Sequence, residues 1–188
     1  MLNAAVQLFF LRELSFAHFA FPRWQAVLAI SLLGLLASFD PNLRAAPPDH
    51  PPPPIGLIVP AIILGVWAGF LVFLGILKPW LRRGGRWDGQ GDLFNLLAAS
   101  WLVTDLLVIG LTNLSVPMPF VLPLGLYSLW VGANALTSAI PRASLGYCFA
   151  GIFLCLLPAV VSSGIVMVLS GMVSLYLGAL LGMLPTGA

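Results

Sequence analysis

The sequence predicts an all-α fold: a polytopic transmembrane helical bundle of five spans, or six, preceded by an N-terminal interfacial helix. Three observations predict it. The 188 residues are 60% hydrophobic, only 7% are charged, and the mean hydropathy is +1.04. Eight basic and six acidic side chains do not clothe a 20.0 kDa globule in water. Apolar stretches of about twenty residues, each long enough to cross a bilayer, recur along the chain. Together these exclude a nucleic-acid reader, a large aqueous enzyme domain and a disulfide scaffold.

Residues 1–22 read as an interfacial amphipathic segment, because Phe9, Phe10, Phe16, Phe19 and Phe21 are mixed with Arg12, Glu13 and His18. No secretory signal is expected, since no basic start precedes the apolar residues and Arg12 and Glu13 interrupt them. The bundle then occupies 23–188. Its first span, about 24–39, is short and runs into Asp40, Pro41 and a loop ending in Pro51, Pro52, Pro53 and Pro54. Four successive prolines favour a stiff polyproline II spacer. Residues 55–77 form a full span, and 93–114 and 118–140 form two more. The tight connection between these last two pairs them as antiparallel neighbours.

The final apolar stretch, 145–184, is about 60 Å long as a helix, twice the hydrocarbon thickness. A break is expected at Ser162, Ser163 and Gly164, leaving a fifth span at 145–168 and an apolar segment at 170–184. That segment either lies along the membrane or makes a sixth span. Orientation follows from charge. With a cytoplasmic N-terminus, Arg12, Arg23, Lys78, Arg82, Arg83, Arg86 and Arg142 all fall inside, and only Arg44 outside. The N-terminus of an integral membrane protein is therefore expected to be cytoplasmic. The cluster Lys78, Arg82, Arg83 and Arg86 suits anionic head groups equally well, each cation contributing about 1 kcal/mol.

Asp105 is the most informative residue, standing near the middle of the third span with no Lys or Arg in any span to pair with it. A charged Asp there costs roughly 2.5 to 3.5 kcal/mol, so it should face the bundle interior, protonated or held by hydroxyls and amides. Counting helix depth back from Ile140 puts Tyr127 and Ser128 opposite it, with Asn134 farther along the same helix. These four make a candidate intramembrane polar cluster. Either it transports a proton or cation, or it joins helices by hydrogen bonds.

Trp67, Trp101 and Trp130 fall at one depth and form either a hydrophobic ligand groove or aromatic packing. Gly65 and Gly69 make a GxxxG in the second span, and Ser170, Ser174, Gly178 and Gly182 make a ladder at intervals of four. Both let a neighbouring helix approach closely, in this chain or in a partner.

Catalytic templates fail by inventory. His18 and His50 lie outside the spans, no HExxH occurs, and Cys148 and Cys155 lie too far apart on one helix for a disulfide. Asp88 and Asp92 offer two carboxylates in a glycine-rich lead-in, with Asp92 placed to cap the third span. No catalytic residue, metal or cofactor is expected.

The order of features resembles the bacterial branch of the Yip1-domain family. The resemblance rests on FPRWQAVLAISLLGLLASF, on RGGRWDGQGDLFNLLAASWLVTDLL and on LGLYSLWVGANALTSAIPRASLGYCFAGIF, and extends over roughly residues 12–168. It implies a five-span bundle with no established enzymatic activity. Eukaryotic members are linked to vesicle trafficking and small GTPases, while bacterial members have no settled role. Lacking a cytosolic domain of any size, this chain is not expected to carry GTPase binding.

The expected function is that of a non-enzymatic scaffold, membrane-organising factor or accessory subunit. Its expected partners are membrane lipids and other membrane subunits or a second copy of the chain, and not nucleic acid. The alternative is a small transporter or channel subunit using Asp105.

Overall fold

The structure is a computed structural model that describes residues 1–41 and 54–181. The proline loop with Arg44 and His50, and Gly182 of the ladder, lie outside the described residues. Among the described residues there are six α-helices: α1 Leu2–Phe9, α2 Arg23–Ala37, α3 Ile55–Arg82, α4 Leu93–Asn113, α5 Met118–Ala139 and α6 Leu145–Leu180. Short 3-10 turns occupy Phe16–Phe19 and Arg83–Gly85. Helices α3 to α6 are long and apolar enough to cross a membrane, and α2 is a shorter apolar helix.

Start signals explain several boundaries. The Asp92 carboxylate accepts the Asn95 N–H at 3.2 Å, and Ser144 Oγ accepts the Tyr147 N–H at 3.4 Å, capping α4 and α6. Pro117 and Pro54 precede α5 and α3, where a missing N–H leaves no intrahelical bond unmade. The α4 and α5 boundaries match the expected spans to within a residue.

Two expectations are corrected. First, α6 is one continuous helix without a break at Ser162, Ser163 and Gly164. A helix satisfies its own backbone, and Ser162 Oγ donates back to the Ala159 carbonyl at 2.9 Å, so nothing there demands a turn. Second, α3 continues past residue 77, so Lys78 and Arg82 stand on its last turns and not in a loop. Trp80 holds that extension by stacking on Tyr147 at 5.0 Å and donating its Nε1–H to the Tyr147 carbonyl at 3.2 Å, while the Tyr147 hydroxyl donates to the Trp80 carbonyl. The N-terminal segment, read from the sequence as interfacial, packs on the bundle. Ala5, Leu8, Leu14 and Phe19 are buried against it, and α1 packs mainly on α4.

Helices α3 and α6 run antiparallel along nearly their whole length and form the largest interface of the fold. Leu57 meets Gly178, Ala61 meets Gly171, Gly69 meets Ala159 and Ser163, and Trp80 meets Gly151. A Cβ at Gly65 would overlap the Met167 side chain. The GxxxG and Gly178 of the ladder thus serve the chain's own largest helix interface. Helices α2, α4 and α5 pack beside this pair. The core runs through Ile30, Phe70, Leu77, Leu96, Leu97, Leu136, Cys148 and Cys155, both cysteines being free and buried.

Candidate functional site

Asp105 projects from the middle of α4 toward α5, where Ser128 Oγ donates to its Oδ1 at 3.3 Å. Thr104, the preceding residue, places its Oγ1 3.2 Å from Ser128 Oγ and 3.3 Å from the Ser100 carbonyl. One hydroxyl proton serves one acceptor at a time, so Ser128 relays between Thr104 and the carboxylate or Thr104 turns back on its own helix. Among the described residues Asp105 makes no ion pair, and its second oxygen makes no hydrogen bond.

Two clefts meet at this side chain. One, of about 240 Å³, lies between α3, α4, α5 and α6 and includes Phe73, Gly125, Gly132 and Leu156. The other, of about 500 Å³, lies between α2, α3, α4 and α6 and includes Leu33, Val66, Ser163 and Met167. Asp105 and Trp101 line both. A half-buried carboxylate with one unbonded oxygen in apolar walls can hold a proton, a cation or a hydrogen-bond donor carried on a lipophilic body.

The expected four-residue polar cluster divides in two. Tyr127 and Asn134 do not reach Asp105. The Tyr127 hydroxyl donates to the Phe9 carbonyl, and Asn134 Nδ2 donates to the Leu11 carbonyl at 3.2 Å. Nearer the basic end, Asn95 Nδ2 donates to the carbonyls of Phe19 and Phe21 at 2.8 and 2.7 Å. Carbonyls at the end of α1 and beyond have no helical partner, and these three side chains supply donors where lipid or apolar core would supply none. Sequence reading missed Asn95 and Thr104. An amide three residues after a capping Asp and a hydroxyl beside the intramembrane Asp were the available signals.

The three tryptophans do not line one groove. Trp67 and Trp101 belong to a cluster with Phe70, Phe73 and Phe94, their ring centroids 5.1 to 6.3 Å apart, and Trp67 Nε1 donates to Ser31 Oγ at 3.1 Å. Trp130 sits apart against Phe149 at 5.4 Å, with 46% of its surface exposed. Residues at one depth on different helices share a layer but not a face.

At the basic end, Arg82 lies 5.5 Å over Trp87, Arg83 5.7 Å over Trp80, and Arg86 4.1 Å over Tyr147. Lys78 is exposed on α3. Asp92 caps α4 and also accepts Arg23 Nε at 2.9 Å, while Asp88 Oδ1 accepts the Gln90 N–H at 2.8 Å. Gly91, at φ +86°, leaves the space in which Phe16 packs, and Phe16 stacks on Trp87 at 6.1 Å.

Together, the four long apolar helices place the chain in the class of polytopic, integral membrane α-helical proteins. Compared with known proteins, the chain matches no family model, no curated protein and no solved structure.

Proposed function

We propose that the chain is a five-span protein of the bacterial inner membrane, with its basic end and N-terminus cytoplasmic, that acts without catalysis as a scaffold or accessory subunit of a larger membrane complex. The relation to the Yip1-domain family belongs to the same proposal.

One observation carries it. Measured from the Asp105 layer, α4 ends eight residues on, about 12 Å, whereas α6 continues from Leu156 to Leu180, about 36 Å along its own axis. The whole of α6 is about 54 Å long, and even at a tilt of ~40° it covers about 41 Å against a hydrocarbon core of about 30 Å. Among the described residues its outer part is covered on one side, by α3. Met172, Val173, Tyr176 and Leu180 are all more than half exposed and no charge interrupts them. Apolar surface of that extent beyond the acyl chains favours a second protein over water.

The test is a photo-crosslinking residue placed at Tyr176 in native membranes, followed by mass spectrometry of the adducts. A single stoichiometric protein adduct, absent when the probe is moved to buried Cys155, is the expected result. Lipid adducts alone would overturn the reading.

A second reading, a transporter or channel subunit, is favoured by the unbonded oxygen of Asp105 at the junction of two clefts. Asp105→Asn keeps an acceptor for Ser128 and removes the charge. Under this reading it abolishes ion or proton flux in proteoliposomes without changing helicity, and unchanged flux disposes of it.

A further inference from the structure

The basic end of the bundle holds a third cavity, of about 600 Å³, between the turn that follows α3 and the turn that joins α5 to α6. Its polar lining is mixed in sign: Arg86 and Arg142 on one hand, Asp88 and Gln90 on the other. Its apolar lining is Phe16, Trp87 and residues 139–141. We propose that this cavity binds the head group of a phosphoethanolamine lipid, with the phosphate at Arg86 and Arg142 and the primary ammonium at Asp88.

The cations are available and one is already oriented. Among the described residues the ion pair is Arg23 with Asp92, so neither Arg86 nor Arg142 is neutralised by a carboxylate. The Arg86 guanidinium is held 4.1 Å over the Tyr147 ring, and its Nη1 donates to the Arg83 carbonyl at 3.3 Å. That leaves further N–H groups of the fork for a phosphate oxygen, with little side-chain entropy left to lose. Asp88 is fixed in its turn, where Oδ1 accepts the Gln90 N–H, and it makes no ion pair among the described residues.

The sign pattern selects the head group. An anionic group without an amine would leave the Asp88 carboxylate beside the phosphate, a like-charge pair that costs binding. A quaternary ammonium has no N–H for a carboxylate and is ordinarily held by open aromatic faces. Trp87 has no such face to offer, being buried with Phe16 stacked on it at 6.1 Å and Arg82 placed over it at 5.5 Å. A primary ammonium donates directly to Asp88. Free phosphoethanolamine carries the same two charges. The apolar wall and the gathering of Trp80, Trp87 and Tyr147 at this end mark the interfacial level where a lipid would arrive with its chains in the bilayer.

The test is native mass spectrometry of the full chain released from detergent, titrated with an equimolar mixture of phosphatidylethanolamine, phosphatidylcholine and phosphatidylglycerol. The expected result is a single phosphatidylethanolamine adduct favoured roughly tenfold over either competitor, about the value of one charge-assisted hydrogen bond. Asp88→Asn, which keeps the oxygen that receives the Gln90 N–H, should erase the preference over phosphatidylcholine while phosphatidylglycerol binding rises. Arg86→Gln with Arg142→Gln should lose all three lipids without loss of helicity. Equal retention of the three lipids by the native chain, or an unchanged preference in Asp88→Asn, would overturn the proposal. So would displacement of the lipid by an equal concentration of soluble phosphoethanolamine, which would make the soluble compound the occupant.

Discussion

Tyr127 and Ser128 are adjacent on α5 and work in opposite directions: Ser128 donates to Asp105 on α4, while Tyr127 donates to the Phe9 carbonyl of the N-terminal segment. About 100° separates successive side chains on a helix, and that rotation is enough to assign one to the Asp105 clefts and the other to the N-terminal strap. The phenol ring also meets Phe9 edge-on at 5.5 Å, so the strap is held by packing as well as by a hydrogen bond.

Loosening the strap should therefore leave the Asp105 clefts alone. Tyr127→Phe and Asn134→Leu are each expected to cost about 1 kcal/mol of local stability, the net worth of an interhelical hydrogen bond. A cysteine placed at buried Ala5 should then react with a thiol reagent roughly fivefold faster, the factor that corresponds to about 1 kcal/mol. Ser128→Ala should leave that labelling rate unchanged. An equal effect from Ser128→Ala would mean that the two systems are one.

Asn95 should matter more than either. It is buried, donates to two carbonyls at 2.7 and 2.8 Å, and ties the segment before α2 to the first turn of α4. Its own Oδ1 has no partner, which offsets part of the gain. Replacing it with Leu strands both carbonyls and is expected to cost ~1 to 3 kcal/mol, read as a lower midpoint of thermal unfolding in detergent.

Glycines along α6 should respond according to what a methyl group meets. At Gly151 a Cβ lies 2.6 Å from Trp80 Cδ1, and that ring is pinned by Tyr147 on its face and by a hydrogen bond at its Nε1. Gly151→Ala should cost about 1 to 3 kcal/mol through overpacking. At Gly164 nothing lies within 4 Å, so Gly164→Ala should be neutral or stabilise by roughly 0.5 to 1 kcal/mol through helix propensity. Parallel denaturation of the two variants in detergent compares them directly, and a reversed order would contradict the α3 and α6 pairing.

Asp92 carries two jobs that substitution can separate. Asp92→Asn keeps the cap on Asn95 and loses the ion pair with Arg23, whose side chain is 74% exposed, and should cost no more than about 1 kcal/mol. Asp92→Ala loses both and should cost about 1 kcal/mol more. Raising the salt concentration should shrink the Asp92→Asn effect and leave the difference between the two variants in place.

The α4 and α5 spans were legible because each is bounded by a proline or a capping side chain and carries an uninterrupted apolar run. The pairing of Ser128 with Asp105 was legible because depth along antiparallel helices can be counted from their ends. Azimuth was not. Tyr127 was assigned the right layer and the wrong side, since rotation about the axis depends on which neighbour a helix packs against. The extension of α3 through Pro79 to Arg82 and the continuity of α6 were hidden for a related reason. Each helix is supported by the other, and Trp80 with Tyr147 closes the pair where sequence alone shows a basic loop.

The sequence by itself determined the class of solvent this chain suits, the helical content, the small-residue positions that permit close approach, and the end at which basic charge collects. These follow from composition and local chemistry, which act wherever the chain goes. Only the tertiary structure decided which helix uses the glycines, that the N-terminal segment folds back onto α4 and α5, and that the intramembrane polar residues form two systems. Those outcomes depend on side-chain direction among packed helices, and direction is settled by contacts between residues far apart in the chain.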